Sequence, residues 1–412
     1  MKVKFITLGC KVNQYETQAL REQFARAGFE STEEKADIYV INTCTVTATA
    51  DTKSKEAILK AKRENSSAKV AACGCMAQLN ADELKSLGVD YIVPQDKKQN
   101  LLDYISNDAI GSRSIWDLKI SDFENRRAFV KIQDGCDNLC SFCKIPYLRG
   151  TSRSRNKNDI IEEIRRLSDK HREIVLCGVN LGLYGKDLRP PLKLSGLLAD
   201  ILKIESLGRI RLSSLEPSLI DDDLLSMLKE PKVCPHLHLP FQSGNDKILK
   251  LMNKKETVEV YRNVVRKSRK IISSIAISCD IMVGFPNEED DDFNSTVNFL
   301  KKIRPMRMHI FRFSPREKTP FSNFKIRNHR EIKERAGVLK EMKDEFSREY
   351  RSKFIGKNLT MVAEEKRDGY CAGYSENYIR VYVKEGIPPG SFAKVEVYAI
   401  DEEKTFAKVN AA

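Results

Sequence analysis

The chain's 412 residues, 41% hydrophobic and formally +13, exceed one ordinary domain, predict two or three, and point to a polyanionic partner such as nucleic acid. No run of about 18 apolar residues occurs, and Met1 to Thr7 is too short and too soon polar for a secretory signal, which excludes a helical membrane span and predicts a cytosolic protein. Eleven cysteines in such a chain indicate metal or reactive thiols rather than a disulfide framework.

The first hundred residues alternate between strand and helix patterns. Val3 to Thr7, Asp37 to Asn42 and Lys69 to Ala72 read as apolar strands, separated by helical stretches near Glu16 to Ala27 and Lys53 to Arg63. A small parallel sheet is expected. Each strand is followed by a cysteine, in Gly9-Cys10, Thr43-Cys44 and Gly74-Cys75. The carboxyl ends of strands share one edge of an open parallel sheet, so three thiols distant in sequence can converge there on a metal cluster. Three buried structural thiols are the plain alternative. Cys73 lies two residues before Cys75 and can offer its thiol on the same side of an extended chain, so spacing does not choose between them.

Beyond a linker of about 25 residues containing Gly111, Ser112 and Trp116, six strands are expected with helices between them. They are Ala128 to Gln133, Glu173 to Gly178, Arg209 to Ser213, His236 to Leu239, Ile275 to Val283 and Met308 to Phe313. This repetition predicts an open or partial parallel barrel, whose chemistry gathers at the carboxyl ends of its strands. Directly after the first strand runs Gly135-Cys136-Asp137-Asn138-Leu139-Cys140-Ser141-Phe142-Cys143, with thiols at i, i+4 and i+7. One tight loop of this kind wraps three corners of a four-iron cluster and leaves the fourth iron open for a substrate. Structural zinc takes four ligands, usually in two pairs, and no histidine lies between this loop and His171. Gly178 and Asn180, Ser213 and Glu216, and Gln242 follow later strands and are candidates for holding a cofactor, as are His238, Ser243 and Gly284-Phe285-Pro286. Each has a local alternative, glycine as a turn former and Ser or Glu as a helix cap. Cys177, Cys234, Cys279 and Cys371 read as buried thiols.

From about Ile355 the strand candidates are Leu359 to Ala363, Tyr378 to Lys384 and Phe392 to Tyr398, which predict a small β-barrel. Alternation places Tyr378, Arg380, Tyr382 and Lys384 on one face, suited to stacking on bases and meeting phosphates; an ordinary two-sided strand is the alternative. This segment holds eight basic and nine acidic residues, so the positive charge lies elsewhere. It concentrates in Lys144, Arg149, Arg153, Arg155 and Lys157, in Lys247 to Lys270, and along a helix from Arg327 to Lys353. Arg327, Arg330 and Arg335 on that helix are candidates for gripping phosphate, although the interspersed Glu331, Glu334 and Glu341 also fit a solvated helix.

The Cys-x3-Cys-x2-Cys loop, with Phe142 before the last cysteine, resembles the radical S-adenosylmethionine superfamily. Together with Leu8-Gly9-Cys10, Asn42-Thr43-Cys44 and Gly74-Cys75-Met76-Ala77-Gln78, it resembles the methylthiotransferases over almost the whole chain. The resemblance implies an α/β protein of three parts: an amino-terminal parallel-sheet domain over 1–105, a central partial (β/α)6 radical barrel over 122–352, and a small TRAM-like β-barrel over 355–412 used for RNA. It implies two 4Fe-4S clusters, an auxiliary one on Cys10, Cys44 and Cys75 in preference to Cys73, and a radical one on Cys136, Cys140 and Cys143. S-adenosyl-L-methionine would serve both as methyl donor and as radical source, and a flavodoxin-like reductant would supply the electron; the sulfur donor is left open. The strings Leu8 to Glu16 and Asn42 to Thr47 look most like the bacterial branch that methylthiolates C2 of N6-threonylcarbamoyladenosine beside the tRNA anticodon. Isopentenyladenosine in tRNA or a ribosomal protein side chain is the alternative substrate, and a non-catalytic metal-containing RNA-binding protein is the alternative of another class.

Overall fold

The structure is a computed structural model and describes residues 1–326, 328–384 and 386–410. The amino-terminal part comprises β1 (Lys2–Thr7), α1 (Lys11–Arg26), β2 (Glu30–Ser31), β3 (Ile38–Thr43), α2 (Ala48–Glu64), β4 (Lys69–Gly74), α3 (Cys75–Leu79), α4 (Ala81–Ser86), β5 (Tyr91–Ile92) and α5 (Leu101–Ser106). Its five strands form a parallel sheet in the order β2-β1-β3-β4-β5. Every residue of β3 is buried, as a central parallel strand covered on both faces requires. Val3, Phe5 and Val40 pack with Tyr15, Leu20 and Phe24 of α1, whereas Tyr39, Ile41 and Ala72 pack with Ile58 and Ala61 of α2. The expected strands hold to within two residues, and α1 starts earlier than its apolar pattern because Cys10 is itself the N-cap residue.

The central part runs through β6 (Arg127–Lys131), β7 (Gln133–Asp134), α6 (Ile145–Arg149), β8 (Arg153–Ser154), α7 (Lys157–Ser168), β9 (Glu173–Cys177), α8 (Leu194–Ile201), β10 (Arg209–Leu212), α9 (Asp222–Ser226), β11 (His236–Gln242), α10 (Asp246–Leu251), α11 (Val258–Ile271), β12 (Ala276–Val283), α12 (Asp290–Ile303), β13 (Arg307–Arg312) and α13 (His329–Ser352). Two parallel three-stranded sheets, β6-β9-β10 and β11-β12-β13, are joined by the bridges Ile210 to Val233 and Ser214 to His238. The result is the expected partial barrel of six strands. Among the described residues β6 and β13 are its free edges, and α1 packs across β6.

The carboxyl-terminal part is a closed barrel of β14 (Asn358–Arg367), β15 (Tyr370–Ser375), β16 (Arg380–Val383), β17 (Phe392–Ile400) and β18 (Thr405–Val409), in the order β14-β15-β16-β18-β17. Two of these strands, β15 and β18, escape a reading by hydrophobic alternation. The first carries the small Ala372 and Gly373, and a Cβ at Gly373 would lie 1.8 Å from the Val362 carbonyl oxygen. The expected strand from Tyr378 is corrected: it starts at Arg380, and Tyr378 lies in a turn with φ of 66°.

An ionic clamp fixes this barrel beneath the central one. Glu173, fully buried, receives Arg209 Nε at 2.6 Å and Arg211 Nε at 2.7 Å, with Arg127 at 3.6 Å. The same arginines donate onward, Arg209 to the carbonyls of Thr360 and Tyr374, Arg211 to those of Ser375 and Glu376, and Arg127 to the Glu364 carboxylate. Burial pushes the Glu173 carboxyl up, but the three guanidinium groups outweigh it and hold it well below the usual carboxylate range.

Candidate active site

Three tight turns bring the amino-terminal cysteines to one sheet edge. Gly9 has φ of 96°, and a Cβ there would lie 2.9 Å from Cys44 Sγ; Gly74 has φ of 93°, and a Cβ there would meet Asn42 Oδ1 at 2.5 Å. Asn13 Nδ2 donates to the Leu8 and Thr43 carbonyls, and Ser54 Oγ accepts from Cys44 N while donating to Cys44 O, so both loops are pinned. Cys10 is exposed at the start of α1, whereas Cys44 and Cys75 are buried. Burial and then the neighbouring Cys75 raise the Cys44 thiol to about 12. Cys73 is fully buried within β4 and belongs to the apolar core instead.

The second triad hangs on the turn after β7. A Cβ at Gly135 would lie 1.9 Å from the Thr151 carbonyl oxygen, so only glycine fits. The loop is then tied to the end of α10, by Ser141 N to Met252 O at 3.0 Å, Ser141 Oγ to Leu251 O at 2.8 Å and Asn253 Nδ2 to Leu139 O at 2.8 Å. Phe142 meets Phe285 edge-on in an aromatic cluster with Phe313 and Phe321. Gly284-Phe285-Pro286 thus shapes the loop's apolar support. Burial raises the Cys140 and Cys143 thiols to about 12 and about 11.

The chemistry of the donors argues for a group larger than one zinc ion. Tetrahedral thiolates about 2.3 Å from zinc stand less than about 4 Å apart. Among the described residues the one group of three potential ligands whose donor atoms all lie within 4.8 Å of one another is His238, Asp280 and His309; neither cysteine triad is that compact. Three thiolates with no fourth ligand among the described residues suit a four-iron cluster with one open iron better than a closed zinc site.

The two triads are neighbours. Lys144, next after Cys143, reaches Oγ1 of Thr45, next after Cys44, at 3.4 Å, and Arg316 donates to Thr45 O and to Asp51. Between them runs a fully buried ionic network: Glu16 accepts from Lys98, Lys131 and Arg149, and Asp134 accepts from Arg149 and Lys131. Three cations face two carboxylates, so one positive charge remains beside Cys10 and Cys75 to offset thiolate charge. Burial opposes the Arg149 charge, and Asp134 and Glu16 more than restore it, so its pKa is raised.

The basic stretch after Cys143 is therefore corrected. Lys144, Arg149 and Arg155 are buried at the junction of the first two parts, reaching Thr45, Glu16 and Tyr15, with Arg155 also paired to Glu163 at 2.8 Å, whereas Lys157 stays on the surface of the central part, paired to Asp200. Sequence reasoning takes them for surface charge because the acidic partner of Arg149, Glu16, lies 133 residues away and that of Lys144, Glu317, farther still.

The cofactor candidates meet different fates. Asn180 is buried with Oδ1 unpartnered, next to Cys136, and Ser213 Oγ is also unpartnered. The orphaned oxygen of Asn180 beside the cysteine loop fits a polar cofactor such as S-adenosylmethionine, whereas Ser213 lines the cavity it shares with Cys10. Gly178 is needed because a Cβ would lie 2.9 Å from Gln133 Oε1, which accepts from Asn180 N. Glu216 is ion-paired with Lys254, whose charge offsets part of the rise that burial imposes on the thiols of Cys136, Cys140 and Cys143; the sequence reading places Lys254 only within the basic stretch Lys247 to Lys270. Gln242 has φ of 67° at the bulge ending β11, and Ser243 caps toward Thr296.

The RNA candidates change most. Tyr378 packs on His236 and Tyr374, surrounded by Arg127, Arg211 and Arg307, at the base of the central barrel. Tyr382 is buried and Arg380 is paired to Glu365, so the three do not share an open stacking face. Arg335 is buried on Glu288 and Asp290, while Arg330 is exposed on Glu334; Arg327 lies outside the described residues. Cys177, Cys234, Cys279 and Cys371 are buried thiols as expected. No helix of the described residues is long and apolar enough to cross a membrane.

Residues 2–93 match a family described as Uncharacterized protein family UPF0004, and residues 130–300 match the Radical SAM superfamily. The chain is 36% identical to the threonylcarbamoyladenosine tRNA methylthiotransferase MtaB of Bacillus subtilis, over 93% of this chain and 90% of the relative. It is 38% identical to the protein of that name from Thermotoga maritima, over 97% and 95%, and 33% identical to a tRNA-2-methylthio-N(6)-dimethylallyladenosine synthase of Aquifex aeolicus, over 90% of each. In fold it is similar to the radical S-adenosylmethionine methyltransferase TsrM of Kitasatospora setae, with a TM-score of 0.59 over 78% of this chain and 77% of that one at 14% identity. With two cysteine triads side by side on an α/β sheet and a partial barrel, and relatives of this similarity along its whole length, the chain belongs to the radical SAM methylthiotransferase family.

Proposed function

We propose that the protein methylthiolates C2 of N6-threonylcarbamoyladenosine in tRNA. The observation that carries this reading is the side-by-side placement of the two cysteine triads, tied together by Lys144 and Arg316 on Thr45, in a chain 30 to 40% identical to relatives named for that reaction. When bound, two 4Fe-4S clusters and S-adenosyl-L-methionine would supply the radical, the sulfur and the methyl group.

The chain's own residues position and shield. Cys136, Cys140 and Cys143 would hold one cluster and Cys10, Cys44 and Cys75 the other, each through three thiolates, with Arg149 and Lys254 contributing compensating charge. Asn180, beside Cys136, offers its free oxygen atom to the methionine end of the cofactor. The junction of Lys144 with Thr45 fixes the separation of the triads, so a substrate carbon between them is held in reach of both. Hydrogen-atom abstraction itself requires no general base. The electron comes from a low-potential reductant, for which dithionite can stand in.

The test is mass spectrometry of nucleosides from tRNA carrying threonylcarbamoyladenosine, after anaerobic incubation with cluster-reconstituted protein, S-adenosylmethionine and dithionite. A methylthio adduct absent with Cys10→Ala is expected. Formation of 5'-deoxyadenosine without that adduct would overturn the substrate, and isopentenylated tRNA, named for the relatives at 33 to 34%, would be assayed next.

A further inference from the structure

The central cavity has a volume of about 160 Å³. That is below the roughly 300 Å³ at which ordinary ligand pockets begin, so it takes one group of a substrate rather than a whole nucleoside. Its wall is formed by Cys10, Lys11 and Val12 of α1, by Arg211, His236, His238 and His309 of the barrel strands, and by Tyr378 from the carboxyl-terminal barrel. All three parts of the molecule therefore meet around it.

The charge of this wall is unbalanced. Asp280, ionised, accepts from His238 Nε2 at 3.1 Å and from His309 Nδ1 at 3.0 Å, and Glu173 is committed to its three arginines. Among the described residues Lys11 pairs with no carboxylate, and no side chain caps the amino end of α1, whose first turn holds no acidic residue. A helix of 16 residues thus directs its positive end and an unpaired ammonium at the same place. Burial raises the Tyr378 phenol, yet Lys11, Arg127, Arg307 and Arg211 together bring it below its usual value, so their field reaches the cavity floor.

A second observation is independent of the helix. His236 is 3% exposed, its Nε2 is engaged by Ser278 Oγ at 2.8 Å, and its Nδ1 has no partner. Burial and then Arg211 keep this imidazole neutral. His236 lines the cavity, so a polar group bound there is in place to satisfy this nitrogen. His238, Asp280 and His309 bring their ligand atoms within 4.8 Å of one another, and both imidazoles are already engaged with the Asp280 carboxylate; around His236 the added charge is positive, from Arg211, Lys11 and Arg307.

We propose that this cavity reads the carboxylate of the modified base: Lys11 and the amino end of α1 hold the threonyl carboxylate, while His309 and His236 meet the adjoining hydroxyl and urea groups. This rests on threonylcarbamoyladenosine being the substrate. The subsite also explains discrimination, because an isopentenyl group would leave Lys11 and His236 desolvated and unpaired, a larger penalty than an apolar pocket imposes.

The experiment measures Kd by fluorescence anisotropy for the reconstituted protein with three anticodon stem-loop RNAs, carrying threonylcarbamoyladenosine, its carboxyl methyl ester, or unmodified adenosine. Wild type should bind the acid about tenfold to a hundredfold more tightly than the ester, as loss of a charge-assisted contact predicts. In Lys11→Met that ratio should fall to near one, in Lys11→Arg most of it should return, and His309→Gln should bind the acid and the ester more weakly than wild type does. Equal Kd for acid and ester in wild type, or an undiminished ratio in Lys11→Met, would overturn the subsite. Product analysis separates the two levels: methylthio product formed from the acid with equal Kd for acid and ester overturns the subsite alone, whereas absence of that product overturns the substrate as well.

Discussion

Cys73 and Cys75 differ by two residues and by everything around them. Strand alternation allows either thiol to reach the sheet edge, but β4 ends at Gly74, whose positive φ turns the chain so that Cys75 opens α3 beside Cys10 and Cys44. Cys73 stays among Val3, Phe5 and Tyr15 in the core. Iron analysis of reconstituted protein should therefore find roughly half the wild-type iron in Cys75→Ala, one of two clusters being lost. Cys73→Ala should keep its iron and lose about 1 kcal/mol of stability, the scale of a small core deletion. Loss of iron in Cys73→Ala would reassign the ligand. The same contrast between spacing and surroundings governs Arg149 and Lys254, cations whose role follows from the thiols they face.

Among the elements, α13 shows how a basic pattern misleads. Its sequence alternates positive and negative residues as a solvated helix does, yet Arg335 turns inward to Glu288, which is buried and also accepts from Gly284 N at 2.7 Å. Burial raises the Glu288 carboxyl, and Arg335 only partly reverses this. Arg335→Met should thus cost about 3 kcal/mol in urea unfolding of the apoprotein, the range for breaking one side of a buried pair, whereas the exposed Arg330→Met should be nearly silent. On the first sheet, Asp90 joins α2 to β4 by accepting from Lys62 Nζ, Lys69 Nζ and Val70 N at 2.8 to 2.9 Å. Burial raises its pKa, but these donors prevail and bring it to about 2. Because the folded value is depressed, its stabilisation is present above the unfolded value of about 3.9 and is lost as pH falls toward 2. The Tm of apo Asp90→Asn should lie below wild type at pH 7 and converge with it near pH 2; a constant difference would remove Asp90 from the acid response.

For the whole molecule, the decisive features are junctions. Glu16, on α1, is neutralised by Lys98, Lys131 and Arg149, which come from the linker side of the first sheet, from β6 and from α6, so the two triads are locked at one separation. Glu173 performs the same service at the opposite end, where three arginines clamp the small barrel under the large one. Glu173→Gln should release that barrel, leaving buried guanidinium groups without their counter-charge, and limited proteolysis should cut faster around Lys353 to Lys357 than in wild type. An unchanged digestion rate would mean that the apolar contacts of Tyr350 and Phe354 with Leu359 suffice.

The sequence by itself determined the strands of the sheet and of the open barrel, because apolar periodicity is a local consequence of what each strand buries. It likewise determined the two cysteine triads, since glycine turns and thiols must follow strands at short fixed spacing. Spacing leaves Cys73 and Cys75 open and the family resemblance favours Cys75, but which arginines are buried and where Tyr378 points were decided only by the tertiary structure. Each depends on a partner far along the chain: Arg149 on Glu16, Arg211 on Glu173, and Tyr378 on His236. Charge has no local period, so its pairing is written only when the domains meet.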